Sequence, residues 1–242
     1  MTGHVIEDLR LPDGSEFYLV RPEGAPDGPG VIFLHWFDEA PNANRTQYLE
    51  EATVLASSGV ASVLPQLSFP WHTPPSDADN DENRIRAELD RLHSVHEALL
   101  AVKGVDKSRI GLVGHDFGAM HGVSLFGEVE LAAAVLISPT PRWSDWFLRF
   151  WPIAGDRFDY MSRLSAVDPV TRIAGAECPL LFQFGSKDFY IAPMTGLELF
   201  GAAPEPKTIL TYESGHSMDE PAISADRRSF LAEALGFAIP PD

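Results

Sequence analysis

Three residues far apart in the chain carry side chains able to make and break a covalent bond: Asp116, Asp188 and His216. Asp116 is the centre of Gly114-His115-Asp116-Phe117-Gly118, inside "GLVGHDFGAMHG". A strand-like apolar run precedes this turn and a helix-like run follows it, the setting in which a sharp turn projects its central side chain from a strand end. Glycines on both sides leave room around a strained central residue. A serine there would need a histidine to take its proton before attacking a carbonyl, whereas a carboxylate needs none. Ionised at neutral pH and favoured by the helix amino terminus, Asp116 is expected to displace a leaving group from a saturated carbon and hold the substrate as an ester. His216, oriented by Asp188, would then act as general base on a water attacking that ester, with backbone amides stabilising the oxyanion. Attack on a carboxylic ester would instead give a mixed anhydride, a costlier intermediate, so ester hydrolysis is disfavoured for this residue.

The elements that must position these groups follow one rhythm. Residues 5–11 and 16–21 read as strands joined by Pro12-Asp13-Gly14, an antiparallel hairpin. Beyond them, apolar runs alternate with helical stretches: "VIFLHWF", a helix near 45–57, "VASVLP", then a long helix with Ile85, Leu89, Leu92, Leu99 and Val102 on one face. "RIGLVG", "LAAAVLIS", "PLLFQFG" and "KTILTY" are further runs of strand length. This alternation predicts an α/β fold, a mostly parallel twisted sheet of about eight strands with helices on both faces. The rhythm breaks only at 139–177, rich in aromatics and without a strand, which is expected to form a small lid within a single domain covering 1–242.

The turn, "FGSKDFYIAP" with Asp188 past a late strand, and "TYESGHSMDEP" with His216 after the next one together resemble the α/β-hydrolase fold family. They stand in that family's order of nucleophile, acid and histidine, and the overall outline is similar to its dienelactone-hydrolase-like branch. The resemblance covers nearly the whole length. An aspartate nucleophile implies the epoxide hydrolases and dehalogenases of that family. It also implies an oxyanion hole after the third strand, where the family's histidine-glycine pair is replaced by His35-Trp36, so the donors expected are the N–H groups of Trp36 or Phe37 and of Phe117. Epoxide opening is favoured over dehalogenation, because Tyr160 in the lid and Tyr190 beside Asp188 could protonate the leaving oxygen, and because Phe117 stands where dehalogenases carry tryptophan or arginine. The expected pocket lining is Trp36, Trp71, Trp143, Trp146, Tyr160 and Tyr190. The alternatives are a dienelactone-hydrolase-like ester or lactone hydrolase, with Asp116 standing in place of a serine, and a non-catalytic ligand-binding homologue.

Composition narrows the partners. The 35 acidic against 18 basic residues give a formal charge of −17, which repels phosphate backbones and anionic membrane surfaces. Cys178 is the sole cysteine, no apolar run approaches the roughly 20 residues of a bilayer span, and the start lacks a secretory pattern, so a cytoplasmic protein is expected. Its partner is expected to be a small-molecule substrate, with a homodimer the one self-association entertained, no nucleic acid, no membrane and no cofactor. No metal is expected either: Asp77, Asp79, Asp81 and Glu88 have calcium-loop spacing, but Glu82 occupies the position that requires glycine. His93 and His96 lie three apart on the long helix without further ligands, on a face expected to be solvated.

Overall fold

The computed structural model of the chain describes residues 3–24, 28–38 and 44–239. Eight strands are present: β1 (His4–Arg10), β2 (Glu16–Pro22), β3 (Gly28–Leu34), β4 (Ala61–Pro65), β5 (Val105–His115), β6 (Ala133–Ile137), β7 (Leu180–Gly185) and β8 (Lys207–Tyr212). They form one sheet in the order β1-β2-β4-β3-β5-β6-β7-β8. The β1–β2 hairpin is antiparallel and β2 joins β4 antiparallel, while every pairing from β4 to β8 is parallel.

Successive strand residues face opposite sides of a sheet, so a strand covered on both sides must be apolar throughout. Val31, Phe33, Val113 and Val135 face one layer, made by α1 (Leu49–Ala56) and α8 (Pro221–Leu235). Ile32, Leu34, Leu112 and Leu136 face the other, where α2 (Ala78–Leu100) and α3 (Phe117–Val123) pack. The order turns outward in opposite directions from β3, which neighbours both β4 and β5. In such sheets the crevice at the strand carboxyl ends opens at that point, and the residues after β3 and β5 meet there.

Residues 139–177 contribute α4 (Trp143–Phe150), α5 (Arg157–Leu164) and α6 (Pro169–Arg172). They part company. α5 docks on α2, where the Tyr160 hydroxyl donates to Asp81 at 2.8 Å, whereas the end of α4 stands over the crevice. Three of the acids with calcium-loop spacing serve the backbone: Asp77 caps α2 by accepting from the Asn80 N–H at 3.0 Å, Asp81 accepts from the Ser76 N–H at 2.9 Å, and Glu88 accepts from the Ser68 N–H at 3.0 Å, while Asp79 pairs with Arg163. His96 is buried rather than solvated. α7 (Pro193–Ala202) follows the Asp188 loop. No described helix is long and apolar enough to cross a membrane.

α1 and α8 are tied by a buried ion pair in which the Arg227 Nε donates to both Glu51 carboxylate oxygens, at 2.9 and 3.1 Å. Removing one partner strands the other charge in the interior. Arg227→Ala is therefore expected to destabilise the fold by about 3–5 kcal/mol. Urea unfolding monitored by circular dichroism checks this, and a loss below about 1 kcal/mol, the scale of an exposed pair, would contradict it.

Candidate active site

Asp116 ends β5 at the turn into α3 with φ 54° and ψ −120°, a conformation that L residues rarely adopt. The flanking glycines are required by close approach. A Cβ at Gly114 would lie 2.6 Å from the Ala119 Cα, and one at Gly118 would lie 2.5 Å from the His35 carbonyl oxygen. Among the described non-glycine residues the others with positive φ are Ser138 and Met218. Ser138 donates its hydroxyl to Asp188 at 3.2 Å, and Met218 lies two residues after His216. Backbone strain is thus confined to the three segments that meet at this crevice, as it is where the surrounding structure holds a functional geometry.

The structure brings Asp116, His216 and Asp188 into one line. His216 Nδ1 donates to Asp188 Oδ2 at 2.8 Å, and its Nε2 lies 3.6 Å from Asp116 Oδ2. Asp188 Oδ1 accepts from the N–H groups of Tyr190 at 2.8 Å and Ile191 at 2.9 Å, which fixes the carboxylate and through it the imidazole. Burial alone would lower the His216 pKa, but the two flanking carboxylates outweigh it and push it up to about 9. Burial alone would raise Asp188, but its hydrogen bond and charge interaction with His216 hold it below the usual range.

For Asp116 the balance falls the other way. Burial raises its pKa against the pull of His216 and of the Phe37 and Phe117 N–H groups. The Asp116 side chain makes no capping hydrogen bond to α3, and the pull from the helix start comes through the Phe117 N–H. Asp116 is coupled to His216 across 3.6 Å, and their mutual attraction favours the carboxylate–imidazolium pair. Its two oxygens differ: Oδ2 faces His216 and the Phe37 N–H at 3.4 Å, while Oδ1 is buried with no hydrogen-bond partner among the described residues.

The expected Trp36 amide donor is a misreading. Its N–H donates to Gln47 Oε1 at 2.7 Å and is unavailable to an oxyanion. Phe37 supplies the donor instead, for a reason set by its peptide plane. The Trp36 carbonyl accepts from His35 Nδ1 at 2.9 Å and from the Trp71 indole at 3.3 Å. A trans peptide points its N–H opposite its carbonyl, so anchoring that oxygen on one side aims the Phe37 N–H at Asp116 on the other.

Three expected lining residues are also displaced. Trp71 lies beneath the oxyanion loop as a carbonyl anchor and shares its indole N–H with Asn44 at 3.2 Å. Trp143 is fully buried, stacks parallel to Phe117 and donates to the Val167 carbonyl at 3.0 Å. Tyr160 is fully buried against Asp81 and cannot protonate a leaving group over Asp116. Trp36, Trp146 and Tyr190 do line the pocket, a cavity of about 390 Å³, together with Phe37, Phe150 and Trp151. The Trp146 indole N–H is buried without a hydrogen-bond partner among the described residues. Phe150 and Trp151 were legible only as part of an aromatic stretch, and their spacing of four and five from Trp146 was the one available signal.

Gln47 and His115 support Trp36 from outside the cavity. Because Gln47 Oε1 is engaged by Trp36, its Nε2 is the group that donates to His115 Nδ1 at 2.9 Å, and His115 stacks on Trp36 with centroids 5.4 Å apart. Burial holds the His115 pKa well below the usual imidazole value, so this ring is neutral.

No family model matches the chain, and no curated protein matches its sequence. Solved structures do. An esterase domain from Rhodothermus marinus superposes with a TM-score of 0.69 at 16% identity, covering 97% of this chain and 99% of that one. A protein assigned as a dienelactone hydrolase from Klebsiella pneumoniae gives 0.71 at 18% identity, covering 97% and 99%. The chain has the α/β-hydrolase fold. An acetyl xylan esterase from a Paenibacillus species shares it, with a TM-score of 0.71 at 15% identity over 97% of this chain and 89% of that one. At these identities the likeness establishes the α/β-hydrolase architecture and leaves the chemistry to the site.

Proposed function

We propose that this α/β-hydrolase-fold protein hydrolyses a small, largely apolar substrate through an ester on Asp116. The supporting observation is the placement of that carboxylate: Asp116 lines the pocket beside His216, with Oδ2 facing the imidazole and the Phe37 amide. In the first step an Asp116 carboxylate oxygen bonds to a saturated carbon as the carbon's bond to its leaving atom breaks. The leaving atom takes a hydrogen bond or proton from a donor in the pocket. Tyr190, whose ring centroid is 5.2 Å from that of His216, suits an epoxide oxygen, and the unpartnered Trp146 indole suits a halide. With Tyr160 excluded, epoxide opening has Tyr190 alone behind it.

Ester formation removes the Asp116 charge, one of the two that raise His216. The imidazole pKa falls, its proton passes to the Tyr190 phenolate left by epoxide opening or, after halide loss, to solvent, and neutral His216 takes a proton from a water attacking the Asp116 Cγ. The Phe37 and Phe117 amides face the oxygen on which charge develops, and collapse releases the alcohol and restores the carboxylate.

A second reading, ester or lactone hydrolysis, draws on the fold shared with the esterases and the assigned dienelactone hydrolase. There Asp116 would take a proton from water that attacks the carbonyl directly, with no bond to the enzyme. Turnover in water labelled with heavy oxygen separates the two. Using whichever epoxide, haloalkane or lactone of a panel the protein consumes, mass spectrometry of the Asp116 peptide is expected to show label accumulating over repeated turnovers. An unlabelled peptide after many turnovers would rule out the ester and leave direct attack.

A further inference from the structure

We propose that this pocket selects substrates carrying a compact cationic group of the alkylammonium kind over neutral or anionic molecules of the same shape. The inference rests on reading the cavity as the substrate site and concerns what is bound, independently of how the bond is broken. Six aromatic side chains enclose it: Trp36, Phe37, Trp146, Phe150, Trp151 and Tyr190. Trp146 lies 4.9 Å from Phe150 and 6.0 Å from Tyr190, Phe150 lies 6.3 Å from Trp151, and Trp151 lies 5.9 Å from Phe37, centroid to centroid, so five of the rings form a connected wall. Aromatic faces carry the negative part of a quadrupole and attract a cation, most strongly when it is desolvated.

The charges agree with the rings. Among the described residues the charged ones lining the cavity are Asp38, Asp116 and His216, with no lysine or arginine. The His216 charge is matched in place, because the imidazole lies between Asp116 and Asp188. The Asp116–His216–Asp188 line sets two carboxylates against one imidazole, so a cation at the rings meets an excess of negative charge inside a protein of formal charge −17. An anion meets the reverse field. Arg149 lies 4.9 Å from the Phe150 centroid and donates to the Tyr190 carbonyl. It occupies one ring and leaves Trp36, Trp146, Trp151 and Tyr190 for a ligand.

Three probes of matched shape test this by calorimetric titration of the unmodified protein: the hydroxyethyl-trimethylammonium cation, the neutral alcohol with tert-butyl in place of trimethylammonium, and the tert-butyl carboxylate of the same length. Titration at about 1 M salt, where the Debye length is about 3 Å, removes the pull of distant surface charge. The cation is expected to bind at least about tenfold tighter than the alcohol, ~1.4 kcal/mol, and the carboxylate more weakly than either. Trp151→Leu is expected to erase most of the preference, and Trp146→Phe, which keeps a ring and loses only the N–H, to retain it. Cation binding no tighter than that of the alcohol, including no binding of either, overturns the proposal whatever the variants do. None of the probes carries an electrophilic carbon, so this result and the heavy-oxygen test of the ester fail independently.

Discussion

His216→Gln protein, mixed with a substrate the parent turns over, is expected to gain that substrate's mass on the Asp116 peptide and then stop. The first step uses the Asp116 carboxylate and a leaving-group donor from the pocket, and all of these remain. The second step needs a base for water, and glutamine is none. Loss of a residue acting as one unit with its neighbours lowers kcat by roughly 10⁴- to 10⁶-fold in hydrolases built on such a triad, and a fall of at least about 10⁴-fold is expected here. A His216→Gln protein that releases product at near the parent rate, or is inactive without any adduct, would contradict the assignment of His216 to the second step.

The complementary change, Asp116→Asn, keeps the shape and removes the attacking charge. Turnover is expected to fall by at least about 10⁴-fold with no adduct at any time. A second readout is independent of any substrate. The His216 pKa of about 9 depends on two carboxylates, 3.6 and 2.8 Å away, and the variant keeps only the second. Proton NMR of the imidazole is expected to show the pKa moving from about 9 toward its ordinary value of 6.5. The sign carries over to stability. A histidine whose folded pKa is raised stabilises fully below its unfolded pKa, and that contribution is lost as pH rises through the folded value. The parent should therefore lose stability between about pH 6.5 and 9, and Asp116→Asn over a narrower window. An imidazole pKa unchanged in the variant would show that Asp116 is not its partner.

The strand alternation, the hairpin and the elbow could be read directly from the chain because each is a local property. Apolar runs covered on both faces declare buried parallel strands, and a glycine-flanked turn between strand and helix declares a projecting side chain. The aromatic stretch could not be sorted in the same way. In "RWSDWFLRFWP" Trp143, Trp146, Phe147, Phe150 and Trp151 offer no contrast of polarity to tell a core-facing ring from a pocket-facing one. Trp143 and Phe147 went to the core under Phe117, and Trp146, Phe150 and Trp151 to the pocket. Tyr160 misled for a related reason: its partner Asp81 lies 79 residues away and reads as a solvated acid at a helix start.

From its residues alone the chain specified a doubly covered parallel sheet and an acid, an acid and a histidine after three of its strands, since periodicity and turn chemistry act over a few neighbouring positions. The tertiary structure decided which amide faces Asp116, which rings line the pocket, and that two carboxylates flank His216 and raise its pKa. Those outcomes depend on contacts such as Trp36 with Gln47 and His216 with two carboxylates, and residues distant in sequence acquire such contacts only when the folded sheet brings its strand ends together.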